Sequence, residues 1–237
     1  MNCNLIGGNM KKLFLSTVVL LFSSVFIFSQ SAVQFKAEAI KKDSVQDAVD
    51  YIKSNLEKAA TPSDKRSLLY FAATLEEQTG NYKSAGNLYA QAAGMKAGDA
   101  EGMEKVSSEK LVLCAVRALL CAGDFENADL YLNSAVRSST DKNILAHVNL
   151  YSVWSSLCKA KNVEETKDSI ALLNAYALMD SMEDVRPQIL FALWYLTSEE
   201  EFAAKISKDY PGSMEDSVIK GNVQLMNSPF WLFVPRF

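Results

Sequence analysis

Two phrases of this chain match each other position by position. Residues 80–93 read GNYKSAGNLYAQAA and residues 123–136 read GDFENADLYLNSAV. Each runs Gly, then Asn or Asp, then an aromatic, then Ala three residues on and Ala again seven residues later. Each follows an apolar stretch of helical periodicity. A glycine placed there supplies the left-handed residue that commonly ends a helix. The pattern predicts helical hairpins that recur along the chain. Repeated hairpins bury their apolar faces by stacking, and such arrays usually hold other molecules rather than transform them.

The rest of the chain is consistent with that reading. Ser44 with Asp47 resembles a capping box ahead of AVDYIKSNLEKAA. Thr61-Pro62-Ser63 breaks that helix, and the next runs to Gly80. Tyr82, Ala85, Leu88, Tyr89 and Ala92 then form one stripe at helical spacing. Residues 97–108 read as a polar loop. EKLVLCAVRALLCAG is apolar almost all round, which predicts burial on several sides, with Arg117 as its sparse charge. A helix follows from Asp124 to about Arg137. Asp141 caps NILAHVNLYSVWSSLCKAK. Further helices follow, the later ones marked by Pro187 in a first turn and by Glu199, Glu200 and Glu201 at an N-terminus. No segment before residue 222 alternates with a period of two for long enough to be a strand. The expected fold is all-α, a helical-hairpin repeat solenoid of about 8–10 helices, with pairs recurring roughly every 36 to 43 residues.

These residues resemble tetratricopeptide repeats. Gly80, Asn81, Tyr82, Ala85, Tyr89 and Ala92 fit that pattern. Gly123, Asp124, Phe125, Ala128 and Ala135 fit it too, with Leu132 in place of the second aromatic. Neither unit has the closing proline. Residues 144–177 and 188–213 look like worn units that keep only the apolar stripes. The resemblance implies that first helices line a concave face. Tyr70, Thr74 and Glu77 would face inward from one unit, and Leu113, Arg117 and Leu120 from the next. Leu113 and Leu120 also read simply as core. The family implies a protein or peptide partner, such as an envelope assembly of the Tol–Pal type or a transporter-associated substrate-binding protein.

Lys11 and Lys12 precede an uncharged run at residues 13–29, a basic start and apolar tract that read as a signal peptide over residues 1–31. Met10 is the more natural start. Ser29 and Ser31 are small residues at the positions a leader-cleaving protease requires, so cleavage before Ala32 is expected. The alternative is an uncleaved inner-membrane anchor. Residues 32–43 then read as a disordered leader, residues 44–221 as the repeat domain and residues 222–237 as an apolar tail. Without residues 1–31 the chain has 22 basic and 28 acidic residues, a net of −6. That balance, with no long basic run, argues against nucleic acid and against a polybasic membrane patch.

Catalytic and metal signatures are missing from the sequence. His147 is the single histidine, mid-helix, with no second histidine at ligand spacing. No nucleophile elbow, phosphate loop or dinucleotide fingerprint occurs. Cys3 falls within the leader. Cys114 and Cys121 lie too far apart along one helix to bridge, being about 10 Å apart at 1.5 Å per residue. Cys158 either reaches one of them or is a buried apolar residue like them. No cofactor and no metal are expected.

The tail NSPFWLFVPRF carries Phe230, Trp231, Leu232, Phe233, Val234 and Phe237. Leaving four such side chains exposed would forfeit roughly 6–12 kcal/mol. The tail is therefore expected to bury, on the last helices or in a partner. The sequence reads as an exported, periplasmic, non-enzymatic scaffold of the bacterial envelope. The alternative is a periplasmic carrier that holds a hydrophobic small molecule in its groove.

Overall fold

Short polar side chains start most of the helices. The structure, a computed structural model, describes residues 30–222. Of the expected signal peptide at residues 1–31, residues 1–29 lie outside the described residues, as do the tail residues Phe230, Trp231 and Phe233. Eleven α-helices follow one another: α1 Ala32–Ala39, α2 Val45–Asn55, α3 Pro62–Gln78, α4 Tyr82–Gly94, α5 Ser108–Cys121, α6 Phe125–Leu132, α7 Lys142–Lys159, α8 Val163–Ala177, α9 Arg186–Thr197, α10 Glu200–Asp209 and α11 Met214–Ile219. Ser31, Ser44, Thr61, Ser107, Asp124, Asp141, Asn162 and Ser213 each cap a first turn by accepting a backbone N–H. The described residues contain no strand, and Gln30 with Ala59 forms an isolated bridge.

The two matched phrases close their hairpins by one geometry. At the first, Gly80 has φ 80°. Its N–H reaches the Glu77 carbonyl at 3.1 Å, and the Asn81 N–H reaches the Glu76 carbonyl at 2.9 Å. At the second, Gly123 has φ 72°. Its N–H reaches Leu120 at 3.1 Å, and the Asp124 N–H reaches Leu119 at 2.9 Å. This is the Schellman pair of bonds that satisfies the last carbonyls of a helix. A side chain at either glycine would strain the left-handed backbone.

Packing then follows from small residues. Ala72, Ala73, Ala85, Ala92, Ala115 and Ala118 are fully buried along α3, α4 and α5. Gly86 on α4 lies against Leu119 and the Ala115 carbonyl on α5. Helix α5 is buried on both sides. Leu111, Ala115 and Ala118 join a core with α1 to α4, while Val116, Leu119 and Leu120 join a second core with α6 to α10. The loop between α4 and α5 is pinned rather than free. Asp99 pairs with buried Arg66, whose guanidinium also donates to the Val106 carbonyl at 2.6 Å. The Ala100 N–H donates to Ser67 Oγ at 2.9 Å.

Two expectations are corrected. Residues 32–39 are not a disordered leader but helix α1, and this helix takes the count past the expected 8–10. A capping box of Ser31 with Gln34 starts it, and Phe35 is buried beside Tyr51 with ring centroids 6.2 Å apart. Burying that one ring is worth about 1.5–3 kcal/mol, enough to order a short helix. Ala135 does not continue the helical stripe of the second phrase. Helix α6 ends at Leu132, Ala135 opens a 3₁₀ turn and is exposed, and Val136 takes the buried place.

Two outcomes follow from these contacts. Gly86→Ala places a Cβ 2.8 Å from Leu119 Cγ, so its urea midpoint should fall. The expected loss is about 1–3 kcal/mol from overpacking, against about 0.5–1 kcal/mol that alanine gains as a helix former. An unchanged or raised midpoint would show that α4 and α5 can separate at no cost. Asp216 in α11 is buried and accepts the Gly212 N–H at 2.9 Å, Lys220 Nζ at 2.7 Å and Ser207 Oγ at 2.8 Å. These donors lower its pKa from 3.8 to about 2. The folded pKa is depressed, so its contribution is complete above 3.8 and is lost as pH falls toward 2. Denaturation of the native chain and of Asp216→Asn should therefore converge across that window.

Candidate functional site

The structure brings the expected groove residues together in part. Glu77 comes from the last turn of α3 and Arg117 from the third turn of α5. Their side chains form a two-pronged ion pair, with Arg117 Nε 3.0 Å from Glu77 Oε1 and Nη2 2.8 Å from Oε2. Tyr89 of α4 donates its hydroxyl to Glu77 Oε2 at 2.8 Å. Glu77 therefore holds two helices from two successive hairpins. The pair is mostly buried, with 28% of the Arg117 side chain and 12% of the Glu77 side chain exposed.

Tyr70 and Thr74 extend the same face of α3 and are half-buried. The Tyr70 ring stands 6.0 Å from that of Tyr89. Burial, with the nearby Glu104 carboxylate, holds its hydroxyl protonated well above the usual range. Thr74 is satisfied locally, donating to the Phe71 carbonyl at 2.7 Å. Leu113 and Leu120 are 7% and 1% exposed and belong to the core, so they present no surface to a ligand.

Four residues not expected on the face complete its surroundings. Tyr151 of α7 is buried near Arg117, and burial pushes its pKa up to about 12. Burial alone would lower the Arg117 pKa. The Glu77 carboxylate, bound through two of its nitrogens, outweighs that and keeps the guanidinium charged. Glu104 reaches Tyr70 from the pinned loop. Tyr89 was legible only as a repeat mark, because its bond to Glu77 spans two helices. His147 lies edge-on to Tyr151 at 5.8 Å and donates from Nδ1 to the Asn143 carbonyl at 2.8 Å. Burial lowers its pKa and favours the neutral ring.

Other chemistry is sparse. Cys121 and Cys158 are buried thiols whose pKa values burial pushes up to about 12, and Cys114 is half-buried; all three are free. Among the described residues no group of three or more His, Cys, Asp or Glu stands ready to hold a metal ion. None of the described helices is long and apolar enough to cross a membrane. Two open clefts flank the glycine turns. One, of about 520 Å³, includes Glu76, Asn81 and Cys121; the other, of about 530 Å³, includes Asp124, Asp129 and Lys159. Lys83 lines both. Buried Glu76 is saturated by Lys53, by Ser84 Oγ at 2.7 Å and by Asn81 Nδ2 at 2.8 Å.

Comparison with known proteins reaches only the second half of the chain by family. A family model described as TP_0752_M, a middle domain, matches residues 158–237. The match opens in the last turn of α7, takes in α8 to α11 and excludes both glycine phrases. An uncharacterized protein of Treponema pallidum (strain Nichols) is 28% identical over 87 residues, which is 37% of this chain and 23% of that protein. The matched stretch thus spans about a quarter of the relative's length. No solved structure matches.

A double-mutant cycle measures what the ion pair contributes. Arg117→Met and Glu77→Gln should each destabilise, and the double variant should lose less than the sum of the two. The expected coupling is roughly 1–3 kcal/mol, read from urea midpoints. Strict additivity would show that the two charges merely lie side by side.

Proposed function

We propose that this chain is an exported, non-enzymatic scaffold built from tetratricopeptide-like hairpins, and that it presents the first-helix face to a protein or peptide partner in the bacterial envelope. One observation carries the reading. Glu77 and Arg117 come from successive first helices and meet on one face, as neighbouring repeats of a solenoid would require. The identical closures at Gly80 and Gly123 support it further. The face offers Tyr70 as a half-buried aromatic and Arg117 as a partly exposed donor. Tyrosine and arginine of this kind are enriched where partners bind.

The ion pair narrows the chemistry of that partner. Arg117 already holds an internal carboxylate through two of its nitrogens. An acidic ligand would have to displace Glu77 and leave it buried without its cation. A neutral acceptor, such as a peptide carbonyl, meets no such barrier.

Photo-crosslinking tests the reading. A photoreactive side chain is placed at position 70 or 74 of the exported chain, and at exposed position 167 on α8 as a control. A discrete protein adduct at positions 70 and 74, and none at 167, is the expected result. A lipid-like adduct at those positions would favour the hydrophobic-ligand carrier. Identical labelling at all three positions would sink the scaffold face.

A further inference from the structure

We infer that cleavage between Ser31 and Ala32 creates an α-ammonium group that docks on the buried carboxylate of Asp64. The sequence and the structure point to the same bond from different sides. Ser29 and Ser31 mark it as a leader-cleavage position. Independently, the Ala32 nitrogen lies 2.7 Å from Asp64 Oδ1, across 32 residues of sequence.

The surroundings of Asp64 explain what the new charge would do. Asp64 is 6% exposed and Ala32 is 0% exposed. The other carboxylate oxygen accepts from Thr61 Oγ1 at 2.6 Å. Among the described residues no cationic side chain pairs with it, and the adjacent Lys65 turns instead to Glu57 at 2.6 Å. A buried carboxylate is stabilised most by a charge-assisted partner. In the uncut chain it has only neutral donors and the N-terminal dipole of α3.

Hydrolysis by a leader-specific endopeptidase consumes one water. The Ser31 carbonyl carbon gains the water oxygen and leaves as a carboxylate. The Ala32 nitrogen keeps the bonding electron pair and ends as an ammonium. No new contact has to be built, because the nitrogen already sits on its acceptor. The ammonium opposes the dipole of α1, and Asp64 offsets that cost. Cutting also removes the Ser31 cap, whose capping box with Gln34 otherwise starts α1. Since Ala32 is buried, the cut must come before α1 docks on α3. Asp64 then rewards correct processing with a folded N-terminal helix.

The inference rests on the export reading, and one experiment separates the two. The exported chain is first sequenced from its N-terminus. Ala32 as the first residue is the expected result, and any other first residue overturns the proposal. The mature chain is then compared with its Nα-acetylated form, each also carrying Asp64→Asn. The free amine should raise the folded-to-unfolded ratio with Asp64 by about tenfold more than with the asparagine. Far-UV circular dichroism checks that every form folds. An amine effect equal in both backgrounds would overturn the pairing while leaving export intact.

Discussion

Leu119 of α5 reaches α4 because Gly86 has no side chain there. The two hairpins can stack only at that distance, and much else follows from it. Buried alanines on α3, α4 and α5 keep the neighbouring helices equally close. Close approach lets α5 turn both of its sides inward, so that one helix belongs to both halves of the core. It also sets Arg117 within reach of Glu77. Were α4 and α5 a methyl group further apart, the ion pair above them would have to stretch or open.

Charge inside this molecule is mostly spent on internal partners. Arg66 holds Asp99 and a loop carbonyl, Glu76 gathers Lys53, Ser84 and Asn81, and Asp216 gathers Gly212, Ser207 and Lys220. Each ties together segments that are distant in sequence or caps a helix that would otherwise fray. An ion removed from water must find such partners, since an unpaired buried charge is costly. Arg117 follows the same rule. Its charge suggested an open hook for a ligand, and the fold turns most of it toward Glu77 of a neighbouring helix.

The polar loop at residues 97–108 shows where reading from sequence stops. Its two glycines and acidic residues read as solvated connection. In the fold Ala100 and Met103 are buried, and Glu104 reaches Tyr70. Helix α1 was equally hidden. Its eight residues are too few to fold alone, and what orders them is the pocket that α2 and α3 provide for Phe35. The family match carries the same lesson in reverse: it covers residues 158–237, where the repeat marks are weakest, and leaves the clear phrases unmatched.

The chain alone determined most of the helices, several of their caps and the two glycine turns, because these depend on neighbours within about four residues; helix α1 and the early end of α6 did not show there. It also determined that α5 would be buried on several sides, since a helix apolar almost all round has little to give to water. Only the tertiary structure decided which side chains meet. Leu113 and Leu120 went to the core, and Arg117 with Glu77 remained on the face. Tyr89, read as a structural mark, became a hydrogen-bond donor to that pair. Asp64, an unremarked first-turn residue in the sequence, came to lie under the nitrogen of Ala32. These pairings span 12 to 40 residues of chain. Local periodicity is blind to contacts at that separation, because they are set by how whole helices stack.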